Sequence, residues 1–408
     1  MKQNHLYLEK IEELTYRNFK NVKDISFIKE DDSFYPWTIF LGNNGTGKTN
    51  LLKILSFLEV QKNKRAYWPI IEERKYTPKK DLNGRNTEAI LSSIFIDKNN
   101  KRYSWGFDSK KNLFTEQKND VFYNLMIYSY GVNRRISITH KDPYNQQIDN
   151  SATLFDHNVE FLNLEWLLKT DYAVKNNSFT AKQTLEDIKE LFASGIFPDI
   201  IDLDCEMSTD QTKNFVLFKT KEGSFKLEDL PYGYQSSMAW IIDFCKKMFD
   251  RYPTSGYPLR EPAIVLIDEI DLHLHPEWQR KITKTLSKTF PKTQFIATTH
   301  SPFVVQSVEE ANVYILNKET NTTTIDKVHY TSFQGWSVED ILSRVMGLGS
   351  KVKSDKYLEL VKDFDIGLDN GDYQKSKEAF DQLMEILPEN GIQRKKFTMQ
   401  INQFPEAR

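Results

Sequence analysis

The sequence predicts an α/β fold whose central sheet carries polar residues at the ends of its strands. An apolar run, Trp37–Leu41, leads into a glycine-rich turn that is followed by a helical apolar face. A second apolar run, Ala263–Ile267, ends at two acidic residues, and the strand Gln294–Thr298 follows after one helical segment. Strands that alternate with helices are typical of a largely parallel sheet, in which the carboxyl ends of neighbouring strands meet at one edge.

The remaining segments are predicted to surround this sheet, with strands in the first part of the chain and helices in the last. The other predicted strands are Leu6–Phe19, Thr87–Asp97, Arg102–Phe107, Asn112–Glu116, Val121–Tyr130, Phe215–Lys219, Ser224–Leu227 and Asn312–Leu316. The predicted helices are Val159–Val174, Lys182–Phe192, Ser236–Phe249, Pro276–Phe290, Val338–Met346, Lys356–Phe364 and Tyr373–Leu387. This pattern divides the chain into a first α/β half (1–136), a mostly helical insertion (137–212), a second α/β half (213–330) and a helical C-terminal segment (331–408).

The composition predicts a cytoplasmic protein with no part in a membrane. Hydrophobic residues make up 39% and charged residues 27% of the 408 residues, the apolar runs are too short to cross a bilayer, and the first residues lack the apolar core of a signal peptide. The formal net charge of −2 argues against a surface devoted to nucleic acid, although local basic pairs leave DNA contact open. Cys205 and Cys245 show no metal-ligand spacing and are predicted to be buried free thiols.

The glycine-rich turn GNNGTGKT spans Gly42–Thr49 and has the full spacing of a phosphate-binding loop. Its glycines let the backbone curl so that successive N–H groups point at phosphate oxygens, and the next helix adds its positive dipole end. Lys48 supplies a charge for the β- and γ-phosphates of ATP, and Thr49 supplies a hydroxyl ligand for Mg²⁺. An ordinary glycine turn is the alternative, but the flanking strand and helix favour nucleotide binding. The predicted nucleotide-binding residues are Asn43, Asn44, Gly45, Thr46, Gly47, Lys48, Thr49 and Asn50.

The segment AIVLIDE, Ala263–Glu269, is the expected partner of this loop. A strand buried in a parallel sheet would carry Asp268 to its C-terminal end, where α/β sheets place their ligands. Asp268 is predicted to hold the Mg²⁺ ion, and Glu269 to accept a proton from the attacking water as a general base. Taken alone, the segment could simply be a capped strand, so its assignment to an ATP site depends on the phosphate loop.

Two further segments have polar tips. FIATTHSP, at 295–302, places His300 where its side chain can reach a γ-phosphate, because this strand and the Asp268 strand end at the same sheet edge. A structural histidine is the alternative.

LPYGYQS, at 230–236, precedes a long helix, so that Gly233 can expose backbone N–H groups to an anion. A plain helix cap is the alternative there.

Together these segments resemble the ABC-type ATPases of the SMC, RecF and OLD-like group, and in particular the small ATPases of Septu-like and PARIS-like anti-phage systems. The order of phosphate loop, signature helix, acidic strand and switch histidine is similar, as are NFKNVKDISF at 18–27 and IDEIDLHLHPEWQ at 267–279. The resemblance implies a P-loop NTPase fold with an ABC-type ATPase head, built from a mixed central sheet and an antiparallel lobe. It also implies that His273 and His275 belong to an interface loop rather than to a metal site.

The resemblance further implies a homodimer, or a higher oligomer, that sandwiches two nucleotides. LPYGYQS aligns with the family's signature motif, in which Gly233 would face the γ-phosphate of ATP held by a second subunit. Pro231 stands where the family has serine, which removes a hydroxyl donor and implies slow hydrolysis or a clamp held by ATP. YSYGVNRR, at 128–135, resembles a segment that borders the site, so Arg134 or Arg135 is expected to contribute charge there.

The leading hypothesis is a dimeric ATPase that senses or gates a separate effector protein, a nuclease in bacterial anti-phage defence. Long coiled coils and a nuclease domain are not apparent in the sequence, and the acidic stretch 363–373 lacks the spacing of a calcium loop and is predicted to be a helix–turn–helix junction. A RecF-like DNA-repair clamp that binds DNA with ATP is the alternative. A third reading, the nucleotide-binding subunit of a membrane transporter, is disfavoured by the irregular signature and the LHLHP loop.

Overall fold

A computed structural model describes residues 5–59, 89–108, 113–116, 122, 125–136, 150–161, 163–206, 215–330 and 332–404. The chain forms two compact units, Met1–Trp336 and Ser337–Arg408. The strands are β1 Leu6–Tyr16, β2 Phe19–Ser26, β3 Trp37–Gly42, β4 Ala89–Asp97, β5 Arg102–Asp108, β6 Leu113–Glu116, β7 Ile127–Tyr130, β8 Arg135–Ile136, β9 Glu160–Phe161, β10 Ile200–Glu206, β11 Phe215–Thr220, β12 Ser224–Lys226, β13 Ala263–Ile267, β14 Thr293–Thr298, β15 Ala311–Lys318 and β16 Thr323–Lys327.

The helices are α1 Lys48–Ser56, α2 Ala152–Phe155, α3 Asn163–Lys175, α4 Phe179–Leu191, α5 Tyr232–Arg251, α6 Pro276–Gln279, α7 Ile282–Thr289, α8 Pro302–Ser307, α9 Val338–Asp340, α10 Asp355–Asp369, α11 Tyr373–Ile386 and α12 Ile392–Ile401. No helix within these described ranges is both long enough and apolar enough to span a bilayer.

The central sheet of the first unit has the strand order β16-β15-β3-β14-β13-β7. All neighbours are parallel except β15 and β16, so the sheet is mixed, as predicted. All five residues of β13 are buried, since both faces of a parallel sheet are covered. The register pairs Ile267 with Ala297, and Thr298 with Phe40. The ends of β3, β13 and β14 therefore lie level with one another at one sheet edge.

The predicted antiparallel lobe is a sheet with the order β2-β1-β4-β5-β6. It shares a hydrophobic core with α1 and with the central sheet. The side-chain amide of Gln294, in β14, accepts from the Leu8 N–H at 2.9 Å and donates to the Leu8 carbonyl at 2.8 Å, so it substitutes for a strand partner. These paired bonds satisfy a buried amide and fix the lobe on the sheet that carries the site.

The chain between the two α/β halves contains the helical pair α3 and α4, both of which were predicted. The strand β10 was not predicted; it pairs with β11, and β11 with β12, in an antiparallel sheet. Helix α5 begins at Tyr232, four residues before the predicted start at Ser236. The predicted helix Pro276–Phe290 is interrupted between α6 and α7. Both cysteines are free; Cys245 is buried as predicted, whereas Cys205 is only half-buried.

The second unit packs α10, α11 and α12 around its own apolar core, which includes Leu360, Phe364 and Leu383. The acidic stretch is a helix–turn–helix junction, as predicted, because α10 ends at Asp369 and α11 begins at Tyr373. Asp372 caps α11 by accepting from the Lys375 N–H at 3.0 Å. Helix α12 lies within the predicted helical segment (331–408), although no separate helix was predicted there, and the predicted helix Val338–Met346 consists of α9 followed by a π-helical turn.

Candidate nucleotide-binding site

The phosphate loop, Gly42–Thr49, connects β3 to α1 as predicted. Gly47 precedes the helix with φ of 99°, a conformation that side chains disfavour, and a Cβ there would lie 2.4 Å from Asn18 Nδ2. Asn18, from the turn between β1 and β2, donates to the Thr46 carbonyl at 2.8 Å and to the Thr323 hydroxyl at 2.6 Å. Glycine at position 47 therefore lets the loop rest against this turn.

The other predicted loop residues divide into a braced part and an exposed part. The Thr46 hydroxyl donates to the Asn43 carbonyl at 2.9 Å, which closes the loop on itself. Asn44 and Gly45 form the exposed tip. Asn50 donates to Asn18 Oδ1 at 3.3 Å, so its side chain belongs to the brace behind the loop. The sequence did not indicate Asn18, because nothing near it in the chain marks a phosphate site.

Lys48 is buried inside the curl of the loop. Its ammonium group donates to the carbonyls of Gly42 at 2.8 Å and of Asn43 at 3.2 Å. Burial lowers the pKa of Lys48, and the carboxylates of Asp268 and Glu269 oppose that shift. The arrangement holds a cation inside the loop by two backbone carbonyls, and its positive charge can attract phosphate oxygens.

Thr49 and Asp268 meet at the centre of the site. The Thr49 hydroxyl donates to Asp268 Oδ2 at 2.6 Å, and the Thr298 hydroxyl donates to Asp268 Oδ1 at 2.6 Å. Asp268 is only 1% exposed. A hydroxyl and a carboxylate in contact form the oxygen-only donor set that Mg²⁺ prefers, and one that leaves room for water and phosphate ligands. The residues present therefore fit a magnesium ion.

Glu269 follows Asp268 with φ of 48°, a left-handed conformation that is uncommon for residues other than glycine. Its N–H donates to the Thr298 hydroxyl at 2.8 Å. Burial and the neighbouring carboxylates of Asp268 and Asp271 raise the pKa of Glu269. A raised pKa improves a carboxylate as a proton acceptor, which is the property that a general base needs.

His300 lies just past the end of β14. Its Nε2 atom is buried and has no hydrogen-bond partner among the described residues. Its backbone N–H is 3.4 Å from Asp271 Oδ1. Burial, followed by the charge of Lys48, lowers the pKa of His300. A buried ring nitrogen of this kind can form a hydrogen bond with a ligand.

The sequence left open whether Arg134 or Arg135 lies at the site, and the structure places Arg134 there. Arg134 is 1% exposed, whereas the Arg135 side chain is exposed. The Arg134 guanidinium donates to the backbone carbonyls of Gly131, Asp268 and Glu269. It thus contacts the main chain of the acidic strand end.

Gly233 is buried in the first turn of α5, and its own chain explains why a glycine stands there. A Cβ at this position would lie 2.3 Å from the carbonyl oxygen of His273. The rings of Tyr232 and His273 meet edge-on with centroids 4.8 Å apart. The signature segment (Leu230–Ser236) is therefore seated on the loop that follows Glu269, with Pro231 and Tyr232 exposed.

His275 lies at the start of α6. Its Nδ1 atom accepts from the Glu277 N–H at 3.4 Å and caps α6. Within the described residues, no group of three or more histidine, cysteine, aspartate or glutamate side chains could hold a metal ion. The magnesium site inferred above uses one carboxylate and one hydroxyl instead.

A phosphate loop, an acidic strand end and His300 meet at one edge of a mixed sheet, which is the arrangement of a P-loop nucleotide-binding fold. A family model described as "AAA domain, putative AbiEii toxin, Type IV TA system" matches residues 38–166 and 239–306. The first matched segment includes the phosphate loop and the second includes Asp268, Glu269 and His300. The chain is therefore similar to the AAA domain of this family over these residues, and the resemblance of the sequence to small ATPases of this kind is confirmed.

Similar proteins carry names from two kinds of bacterial system. The chain is 33% identical over 219 residues to the Septu protein PtuA of Bacillus thuringiensis, covering 50% of this chain and 53% of that protein. It is 29% identical over 359 residues to the Septu protein PtuA of Bacillus mycoides (strain KBAB4), covering 84% and 45%. It is 31% identical over 211 residues to the "Retron Ec83 probable ATPase" of Escherichia coli, covering 52% and 36%. The chain thus spans about half of the length of the Septu relatives, or less.

Among solved structures, an SMC head bound to the C-winged helix domain of ScpA aligns with 79% of this chain and 97% of that chain. The TM-score is 0.45 and the sequence identity is 13%.

Proposed function

We propose that this chain binds ATP with Mg²⁺ in a cytoplasmic homodimer, hydrolyses the ATP, and thereby senses or gates a separate effector protein, a nuclease of bacterial anti-phage defence. One observation carries the ATPase part of the proposal: the Thr49 hydroxyl and the Asp268 carboxylate, far apart in the sequence, are joined at 2.6 Å beside the buried Lys48. The names of the Septu and retron relatives support the defence context.

In this proposal the residues at the sheet edge have separate roles in binding and hydrolysis. Asn43 to Asn50 hold the phosphates and Lys48 neutralises their charge, while Thr49 and Asp268 hold the Mg²⁺ ion, which would neutralise charge on the phosphates. Glu269 accepts the proton of the attacking water, and His300 contacts the γ-phosphate. Gly233 of a second copy closes the site. The α/β halves 1–136 and 213–330 form the head, 137–212 is the insertion, and 331–408 is available for the effector.

The ATPase proposal is tested with Glu269→Gln, which keeps the shape of the side chain but cannot accept a proton. ATP binding is expected to persist while phosphate release falls about 100-fold or more, in the range that removal of a general base produces. Glu222→Gln, at an exposed turn, is the matched control and is expected to leave both unchanged. Phosphate release at the wild-type rate by Glu269→Gln would show that another group is the base.

The same variant tests the assembly, because trapped ATP should hold two copies together. Light scattering of Glu269→Gln is expected to show a dimer with ATP and Mg²⁺, and a smaller species when Mg²⁺ is chelated.

The effector is tested by purifying the chain from its native operon at endogenous level. Recovery of a second protein with nuclease activity is expected, and recovery of the chain alone, with tight and steeply salt-dependent DNA binding, would favour the DNA-clamp alternative.

A further inference from the structure

Arg134 occupies the place where strand pairing between β7 and β13 stops. The last backbone bond of that pairing runs from the Asp268 N–H to the Tyr130 carbonyl at 2.8 Å. Beyond it β7 turns away at Gly131, and the Asp268 and Glu269 carbonyls face the guanidinium group instead. One terminal nitrogen of Arg134 donates to both carbonyls, at 3.2 Å for Glu269, and Nε donates to the Gly131 carbonyl at 2.7 Å. The Arg134 side chain thus supplies hydrogen-bond donors to the strand-end carbonyls that lie beyond the last residue of β7.

The opposite side of the same two residues is held by β14. The Thr298 hydroxyl accepts from the Glu269 N–H at 2.8 Å and donates to Asp268 Oδ1, and the Thr298 carbonyl accepts from the Ile270 N–H at 3.0 Å. The acidic strand end is therefore clamped between Thr298 and Arg134. This clamp fixes the left-handed turn at Glu269, a backbone conformation that non-glycine residues keep only when their surroundings impose it.

A guanidinium group suits this position better than an ammonium group does. Its planar fork presents several donors in fixed directions, so it can serve carbonyls on two segments at once, whereas an ammonium group is a single point. The carboxylates of Asp268, Glu269 and Asp271 surround it and offset the cost of burying its charge. Burial lowers the pKa of Arg134 to about 10, so the group stays charged at neutral pH. Its hydrogen bonds go to backbone carbonyls and not to the carboxylate groups of Asp268 and Glu269.

We infer that Arg134 is a positioning residue, whose hydrogen bonds to the backbone of Asp268 and Glu269 aim the two carboxylates at the metal and the attacking water without touching the nucleotide. The inference rests on the proposed ATPase function. Since reacting groups must be held within fractions of an ångström, a misplaced base lowers turnover even when the substrate still binds. Loss of Arg134 should therefore lower kcat and spare nucleotide affinity.

Three variants of the full chain test this: Arg134→Met, Arg134→Lys, and Arg135→Met as the matched control on the exposed neighbour. Affinity is measured with the methylanthraniloyl derivative of a non-hydrolysable ATP analogue, and kcat and KM with ATP and Mg²⁺. Arg134→Met is expected to lower kcat about 100-fold with Kd within about threefold of wild type. Arg134→Lys should recover about 10-fold of that loss, because an ammonium group can still reach the two strand-end carbonyls. Arg135→Met should match wild type.

The outcomes separate this inference from the function on which it rests. A wild-type chain that hydrolyses no ATP overturns both. If the wild-type chain is active and Arg134→Met has an unchanged kcat, the inference alone is overturned. The inference alone is also overturned if kcat and binding capacity fall by the same factor, because that result indicates a folding defect. Should Arg134→Met not fold, Arg134→Lys decides: a lowered kcat at unchanged Kd supports the inference, and an unchanged kcat overturns it.

Discussion

The phosphate loop (Gly42–Thr49) and the signature segment (Leu230–Ser236) are held in place in different ways. The loop is braced by side chains from distant parts of the chain: Asn18 from the β1–β2 turn, Thr323 from β16 and Asp268 beyond β13. The signature segment is seated through the close approach of Gly233 to the His273 carbonyl and through two tyrosine rings. The Tyr232 ring meets His273 edge-on, whereas the Tyr234 ring packs on Trp278 and its hydroxyl donates to Asp199. Its Pro231 and Tyr232 remain exposed, with 47% of Tyr232 accessible.

The difference distinguishes the part of the candidate site that one copy of the chain completes from the surface that the same copy exposes. The loop, Asp268, Glu269 and His300 converge at one sheet edge within a single chain. The signature segment instead packs its backbone on the His273 carbonyl and leaves Pro231 and Tyr232 exposed, and in the proposed dimer this exposed side would act on a second copy. Changes to the two regions should therefore affect different measurements.

The largest effect is expected from Lys48→Ala in the phosphate loop. Removing the buried ammonium leaves the phosphates without their central charge, so nucleotide affinity should fall at least 10-fold and turnover about 100-fold. Titration with a fluorescent ATP derivative and a phosphate-release assay measure the two losses. Lys53→Ala, on the same helix with its Nζ over the Phe155 ring, is the control. Wild-type affinity in Lys48→Ala would mean that phosphate lies elsewhere.

Gly233→Ala should have the next largest effect and should act on the signature segment. The added Cβ would lie 2.3 Å from a backbone carbonyl, so the segment must shift, at a cost of about 1–3 kcal/mol in unfolding free energy. ATP-dependent dimerisation and turnover should fall about 10-fold or more, while nucleotide binding by a single copy persists. Gly256→Ala is the control, because a Cβ there meets nothing within 4 Å.

Thr298→Val is expected to lower kcat about 10-fold. The substitution keeps the shape but removes the donor to Asp268 and the acceptor of the Glu269 N–H, and an unpaired buried N–H costs about 1–3 kcal/mol. Thr298→Ser retains the hydroxyl and should remain close to wild type. Steady-state kinetics at several Mg²⁺ concentrations measure the effect, and equal rates for both variants would remove Thr298 from the clamp.

The smallest effect, and one of opposite sign, is expected from Pro231→Ser. The resemblance to the ABC-type family implies that a hydroxyl at this position donates to the γ-phosphate across the dimer, and one added hydrogen bond is worth about 0.5–1.5 kcal/mol. Turnover should rise a few-fold in Pro231→Ser and should not rise in Pro231→Ala, which removes the proline without adding a hydroxyl. A similar gain in both variants would assign the effect to the ring of the proline.

The sequence was sufficient to predict those parts of the molecule in which the residue types and the local hydrophobic pattern indicate the same structure. The apolar run of β13 had to be buried, and Asp268 directly after it had to lie at the sheet edge. The contacts of Arg134 and Thr298 could not be predicted, because both depend on which strands are neighbours and where β7 leaves the sheet. A buried arginine that binds carbonyls has the same sequence signal as an exposed one.

Element boundaries were missed for similar reasons. Helix α5 starts at Tyr232, directly after Pro231 at the N-cap, and its first turn includes Gly233, which packs on the His273 carbonyl. The break between α6 and α7 follows Trp278, whose ring N–H donates to the Ile196 carbonyl at 2.6 Å and fixes the first turn separately from the second. Strand β10 pairs with β11, and its alternation of apolar and acidic residues is a strand pattern that the sequence prediction overlooked.

The brace behind the phosphate loop also determines when the site can form during synthesis. Asn18 and Thr323 are 305 positions apart, yet both hydrogen-bond to the Thr46 carbonyl and to each other. Chains emerge from the ribosome N-terminus first, and contacts of such long range form late. The loop sequence is therefore translated early but acquires its brace only after β16 has emerged, so a nascent chain remains without a finished nucleotide site until most of the first unit has been made.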